Sequence, residues 1–250
     1  MEAAEEVVVL EHIKIEDVLF LDIETVPQHP DFSHLDETMQ KLWEHKATPM
    51  CKDGQTPEIL YERAGIYAEF GKIVCISLGF AYRLNDSKQL AFRIKSCFDD
   101  DEKKLLTAFS ETIKRFAMQR ANMLLCAHNG KEFDFPYIAR RMLLNGLVVP
   151  TSLETAGKKP WETSFIDTME LWRFGDYKNY TSLKLLTHIF NIPSPKDDID
   201  GSKVAEVYWK EKNLPRIARY CEKDVLAIAQ LMLRYKGMEL IDDENVNASV

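Results

Sequence analysis

The chain is 250 residues long, 46% hydrophobic and 29% charged. That balance excludes a wholly disordered, collagen-like or membrane-embedded polypeptide and supplies enough apolar side chain for a sizeable core. Lysine and arginine number 32 against 40 aspartate and glutamate, a net charge of −8, which disfavours a protein that coats nucleic acid through a basic face but not an enzyme whose carboxylates hold metal. Cys51, Cys75, Cys97, Cys126 and Cys221 form no Cys-x-x-Cys pair, so neither a disulfide framework nor a zinc ribbon is expected and a reducing compartment fits best. The acidic start Met1 to Glu6 and the short apolar run Val7 to Leu10 match neither a signal peptide nor a membrane span; the expectation is a soluble, cytoplasmic protein with no membrane partner.

In chain order, Val18 to Ile23 is apolar on both faces until its end, as expected of a central strand covered on both sides. Residues 28–70 turn polar, with Pro30, Pro49 and Pro57 and two helical patterns, Asp36 to His45 and Pro57 to Tyr67. This segment is too long for an ordinary loop and reads as an insertion that caps or borders a site. Lys72 to Tyr82 and Gln89 to Cys97 form a hairpin joined at Asn85-Asp86-Ser87, residues that suit a turn. Asp99 to Asp101 open an amphipathic helix with Leu105, Leu106, Phe109, Ile113 and Phe116 at helical spacing.

Asn122 to Ala127 is a fourth strand, Phe135 to Leu144 a helix ended by Asn145-Gly146, and Phe165 to Asp167 a fifth strand. Thr181 or Ser182 caps a helix reaching Phe190, a shorter helical stretch covers Lys203 to Lys212, and Leu214-Pro215 opens the last long helix, which ends near Lys236-Gly237. The acids after Leu240 read as a frayed polar tail. The order predicts an α/β fold, a mixed central sheet with helices on both faces, in one domain: a core over about 17–237, the 28–70 insertion and the tail.

Four acids stand out by position. Asp22 and Glu24 lie two apart at the end of the first strand, so both project to one side. Asp134 follows the fourth strand at the entry to a helix, and Asp224 lies four residues after Tyr220, on the same helix face. Oxygen donors without Cys or His select Mg²⁺ or Mn²⁺ over zinc. Each element has a plainer reading: exposed strand-end acids for Asp22 and Glu24, a helix N-cap for Asp134, a surface pair for Tyr220 and Asp224, with Glu222 and Lys223 on a solvated face.

The combination is more specific than its parts. Phe20-Leu21-Asp22-Ile23-Glu24-Thr25, Asn129-Gly130-Lys131-Glu132-Phe133-Asp134 and Tyr220-x-x-x-Asp224, in that order, resemble the three exonuclease motifs of the DEDD superfamily. The tyrosine in the third motif resembles the branch that contains the proofreading 3'-5' exonuclease domain of family B DNA polymerases. The resemblance implies a ribonuclease-H-like fold, with Asp22, Glu24, Asp134 and Asp224 as ligands of two divalent cations and Tyr220 as a catalytic partner. It also implies substrate contacts from Thr25, Asn129 and Phe133, from Ser182-Leu183, which resembles the family's single-strand-contacting segment, and from Lys196, which resembles its lysine motif.

Two departures are the 28–70 insertion and the lack of a polymerase domain, so a free-standing enzyme is implied. Two ions roughly 3.5 to 4 Å apart can activate water, neutralise a phosphodiester and support the departing 3'-oxygen. Lys184, Arg140, Arg141 and Arg219 are further candidates for guiding a strand. His128 reads as a core or turn histidine, because the superfamily's histidine branch places its histidine where this chain has Arg219. Asp167, Asp197, Asp198 and Asp200 read as turn and cap residues. The leading expectation is a 3'-5' exonuclease on single-stranded or frayed DNA. The alternatives are an exoribonuclease of the same fold and an inactive nucleic-acid-binding module; protein partners stay open.

Overall fold

The computed structural model describes residues 9–84, 89–159, 162–176, 180–193 and 199–249. Its sheet comprises β1 (Val18–Pro27), β2 (Gly71–Arg83), β3 (Leu90–Phe98), β4 (Leu124–Ala127), β5 (Phe165–Asp167) and β6 (Val246–Asn247), in the spatial order β5-β4-β1-β2-β3-β6. β1 pairs antiparallel with β2 and β2 with β3, whereas β1–β4, β4–β5 and β3–β6 are parallel. The mixed sheet and its three antiparallel strands are those predicted; the expected hairpin turn at 85–87 lies outside the described residues.

The longer helices are α1 (Glu37–Ala47), α2 (Glu102–Gln119), α3 (Asp134–Leu144), α4 (Thr168–Arg173), α5 (Leu183–Ile189) and α6 (Leu214–Tyr235). The period of two along β1 divides the core. Leu19, Leu21 and Ile23 pack with Leu106 and Phe109 of α2 and Phe135 and Ile138 of α3. Val18 and Phe20 face the other way, onto Val225, Ile228 and Ala229 of α6. The central strand is therefore covered on both sides, which is why its sequence is apolar without alternation.

The insertion has a core of its own. Trp43 of α1 meets Tyr61 and Phe70 edge to face at 5.6 and 5.1 Å and donates its indole N–H to Pro57 O at 2.7 Å. It docks on α3, where the Tyr137 hydroxyl donates to Gly65 O (2.7 Å) and Arg141 Nη1 to Ala68 O (2.8 Å). Gly65 is required there, because an added Cβ would sit 2.9 Å from the backbone carbon of Val26. Arg141 also forms a buried, two-bonded ion pair with Glu102, Nε–Oε1 2.9 Å and Nη2–Oε2 2.5 Å. That fixes Arg141 in the interior and removes it from the candidates for guiding a strand.

The C-terminal segment is ordered by specific bonds, so the expected fraying is corrected. Ile241 is buried and exchanges two backbone bonds with the Gln230 side chain, and β6 pairs with β3. Glu222, predicted on a solvated face, is only 4% exposed. Its Oε1 accepts from the hydroxyls of Ser96 and Ser249, both at 2.9 Å, so the carboxylate ties α6 to β3 and to the end of the chain.

Candidate active site

β1 outruns its parallel neighbour. β4 pairs with it only at Val18, Leu19 and Phe20, so the edge of β1 beyond that point has no strand on this side. Asp134 occupies the gap, its Oδ1 accepting the backbone N–H of Ile23 at 3.2 Å. It is the first residue of α3, and Phe133 holds the N-cap position without a side-chain bond; the plain N-cap reading is thereby corrected, and the carboxylate accepts from the strand as well as from its own N–H at the helix start.

Asp22 and Glu24 continue the face that Val18 and Phe20 present to α6, where the apolar run stops. Opposite them stand Tyr220, Cys221 and Asp224. The Tyr220 phenol is hydrogen bonded to the Asp224 carboxylate one helical turn on. Cys221 was not anticipated, and it qualifies the oxygen-only ligand set. Its thiol lies 3.4 Å from Asp22 O and 3.5 Å from Asp22 Oδ2, and Asp22, Glu24 and Cys221 each offer a donor atom within 4.8 Å of the others. Only the fold brings residue 221 to residue 22; no spacing announces it.

Crowding and burial set the electrostatics. Burial first, then the charges of Asp134 and Asp224, push the Asp22 carboxyl well above the usual carboxylate range. Burial and then Asp22 and Asp224 do the same to Glu24. Asp134 is pushed up to about 7 by burial, with hydrogen bonds from its own N–H and from Ile23 acting in the opposite direction. Burial and the three carboxylates Asp224, Glu24 and Asp22 hold the Tyr220 hydroxyl firmly protonated. Among the described residues no lysine or arginine forms an ion pair with Asp22, Glu24 or Asp134. Two buried acids and the half-buried Asp22, with no lysine or arginine ion pair among the described residues, present oxygens that fit hard divalent cations.

The site opens into a cleft of about 1270 Å³. Asp22, Glu24, Asp134, Tyr220 and Asp224 line it, as do Asn129, Phe133, Ser182, Leu183 and Lys184. Ser182 caps α5 by accepting from Leu185 N, as its sequence position predicts. Thr25 does not line the cleft; β1 bulges between Glu24 and Thr25, and the Thr25 hydroxyl is bonded to Tyr137. No residue of 28–70 lines the cleft either, which corrects the expectation that the insertion borders the site, and Arg140 and Arg219 lie outside it. Lys196, Asp197 and Asp198 lie outside the described residues.

Asp167 does more than the turn or cap role expected of it. It caps α4 through Met169 N (2.9 Å) and also accepts from the backbone N–H groups of Asn129 (2.9 Å) and Lys131 (3.1 Å). That bond steadies Asn129, held at φ +60 with its side-chain oxygen buried and without a hydrogen-bond partner among the described residues. The local signal was an acid at the end of the fifth strand, but its second set of partners is 36 and 38 residues away. His128, read from the sequence as a core or turn histidine, is half-buried and lines the cleft; its ring nitrogens contact Thr168 Oγ1 and Thr181 O, both at 2.9 Å, and burial lowers its pKa.

Residues 66–249 match the model of a family described as predicted 3'-5' exonucleases related to the exonuclease domain of PolB. The chain belongs to this family. The matched range includes Asp134, Tyr220 and Asp224 and begins after Asp22 and Glu24. Among solved structures the chain resembles a family B DNA polymerase from the hyperthermophilic archaeon Pyrobaculum calidifontis, at 16% identity and a TM-score of 0.50. The match covers 88% of this chain and 24% of the polymerase, so the chain spans about a quarter of that protein. At this identity the likeness speaks for the fold alone, the mixed α/β sheet of ribonuclease-H-like type. Among the described residues no helix is long and apolar enough to cross a membrane.

Proposed function

We propose that the chain is a 3'-5' exonuclease of the tyrosine branch of the DEDD superfamily, removing nucleotides from the 3' end of single-stranded or frayed DNA with two divalent cations, Mg²⁺ or Mn²⁺. The observation that carries this reading is the convergence of Asp22, Glu24, Asp134, Tyr220 and Asp224 on one cleft at the end of β1. Asp22, Glu24, Asp134 and Asp224, all at this end of the cleft, would hold the cations. When bound, the cations supply a nucleophile at neutral pH, offset the charge of the phosphodiester and support the departing 3'-oxygen.

The chain's own groups position the reactants. Tyr220 stays protonated and is no base; its hydroxyl orients the attacking water by a hydrogen bond. Phe133, braced by Tyr137 at 5.4 Å, stacks on the terminal base. Stacking tolerates any base and is worth about 1 to 3 kcal/mol. Asn129, Ser182 and Leu183 contact the terminal nucleotides from the other cleft walls and are joined in this proposed set by Lys196, whereas Thr25, bonded to Tyr137 outside the cleft, is not part of it. Residues 17–237 act as one catalytic unit, with the insertion bracing α3 from outside.

The test is a time course on 5'-labelled DNA and RNA strands of identical sequence with Mg²⁺ or Mn²⁺. The expected result is a ladder shortening from the 3' end, faster on DNA. Release of internal fragments, or no product with either ion, overturns the reading, and a preference for RNA replaces DNA with RNA as substrate.

A further inference from the structure

Cys221 has no part in the proposed reaction, yet its sulfur is buried against two of the reactive acids. Its Sγ lies 3.5 Å from Asp22 Oδ2, and Asp22, Glu24 and Cys221 offer donor atoms within 4.8 Å of one another. Zinc takes thiolate sulfur at about 2.3 Å and carboxylate oxygen at about 2.0 Å in a tetrahedral array, and two such bonds span a sulfur–oxygen edge of about 3.5 Å. The fold already holds that edge. A sulfur donor favours zinc-class ions and offers nothing to Mg²⁺, which takes oxygen ligands. Occupation by the one class uses the carboxylates that the other needs.

We propose that Asp22, Glu24 and Cys221 form a site for a thiophilic divalent cation of the zinc class, which competes with Mg²⁺ or Mn²⁺ and thereby inhibits the enzyme. As the sulfur–metal bond forms the S–H bond breaks and its proton passes to solvent, with no change of oxidation state. The binding half stands on the geometry alone; the inhibition half rests on the exonuclease reading.

The test titrates the reduced full chain with Co²⁺ or Cd²⁺ and follows sulfur-to-metal charge-transfer absorption. The wild type is expected to develop the band at one equivalent, C221S and D22N to lack it, and C75S to keep it, each variant being checked for a cooperative thermal transition. Zinc affinity, measured by competition with a chelating dye, should fall at least about tenfold in C221S, while Mn²⁺ affinity changes less than about threefold. A wild-type spectrum without the band, a requirement that needs no variant, overturns the proposal, as does a band that persists in C221S. Zinc should also slow Mn²⁺-supported shortening of a 3' end, with excess Mn²⁺ restoring the rate; inhibition that excess Mn²⁺ leaves unchanged overturns the competition. If the band follows Cys221 but no strand is shortened with Mn²⁺ alone, the exonuclease reading fails and the metal site stands.

Discussion

Raising the pH of the cation-free protein from 5 to 8 should destabilise it, and Asp134 sets the expected size of the effect. Its carboxyl is raised from an ordinary 3.8 to about 7 in the folded state. Between those values the folded chain keeps a proton that the unfolded chain has lost, so stability falls as pH rises through the window and levels off above it. From pH 5 to 8 this group alone accounts for roughly 3 kcal/mol, at about 1.4 kcal/mol per pK unit. In a chain of this length that corresponds to a melting temperature lower by about 5 to 10 °C. Asp22 and Glu24 are shifted in the same direction and steepen the slope. Asp134→Asn removes the ionisation while its amide oxygen can still accept from Ile23 N–H, so the variant should show a flatter profile. Melting followed by circular dichroism in EDTA, at half-unit pH steps, measures the difference. Mn²⁺ at about 100 times its dissociation constant should recover about 2.7 kcal/mol at pH 8. Parallel profiles for the wild type and D134N would refute the argument, because the carboxyl would then titrate as it does in the unfolded chain.

Three other outcomes test separate parts of the structure. Asp22→Ala and Asp224→Ala should each lower the initial rate on a 5'-labelled strand by about a thousandfold or more, whereas Tyr220→Phe, which removes one orienting hydrogen bond, should cost about ten- to a hundredfold; equal losses would mean that the phenol does more than orient. Arg141→Ala strands the Glu102 carboxylate in the interior and should destabilise by about 3 to 5 kcal/mol in urea, with the double variant Glu102→Ala/Arg141→Ala less damaging than the sum of the singles. Asp167→Ala leaves the N–H groups of Asn129 and Lys131 without their acceptor and should cost about 1 to 3 kcal/mol; hydrogen exchange at those two amides should quicken, and unchanged exchange would show that the loop is held by something else.

The sheet was legible because its signals are local. The doubly apolar run of β1 follows from packing on both faces, and Asp36, Asp101 and Ser182 cap the helices they precede through bonds to N–H groups within three residues. The four acids and Tyr220 were legible as an ordered set of short motifs. What escaped was whatever depends on distant partners. Glu222 looks solvated because its neighbour is Lys223, but its acceptors are satisfied by Ser96 and Ser249, 126 and 27 residues away. Cys221 looks like one scattered thiol until α6 lies across β1, 199 residues earlier. Arg141 resembles any basic residue near a nucleic-acid site until Glu102, 39 residues back, claims two of its three guanidinium bonds. Side-chain bonds of long sequence separation leave no periodicity to read.

The shortness of β4 links the fold to the chemistry. Had β4 run on beside β1, Ile23 N–H would have a backbone acceptor and the edge would be sealed; because β4 stops at Ala127, a carboxylate from the next helix takes that place. The substitution also tunes the group. Burial raises the Asp134 carboxyl, but the N–H groups of Ile23 and of its own helix start favour the ionised form, and the balance falls near 7. A carboxyl held by those donors gives up its proton to an arriving cation more readily than a buried acid without them would. Cation capture should therefore strengthen with rising pH up to about 7 and change little above it as far as Asp134 contributes, and the hydrogen bond that closes the sheet edge is what puts the midpoint there.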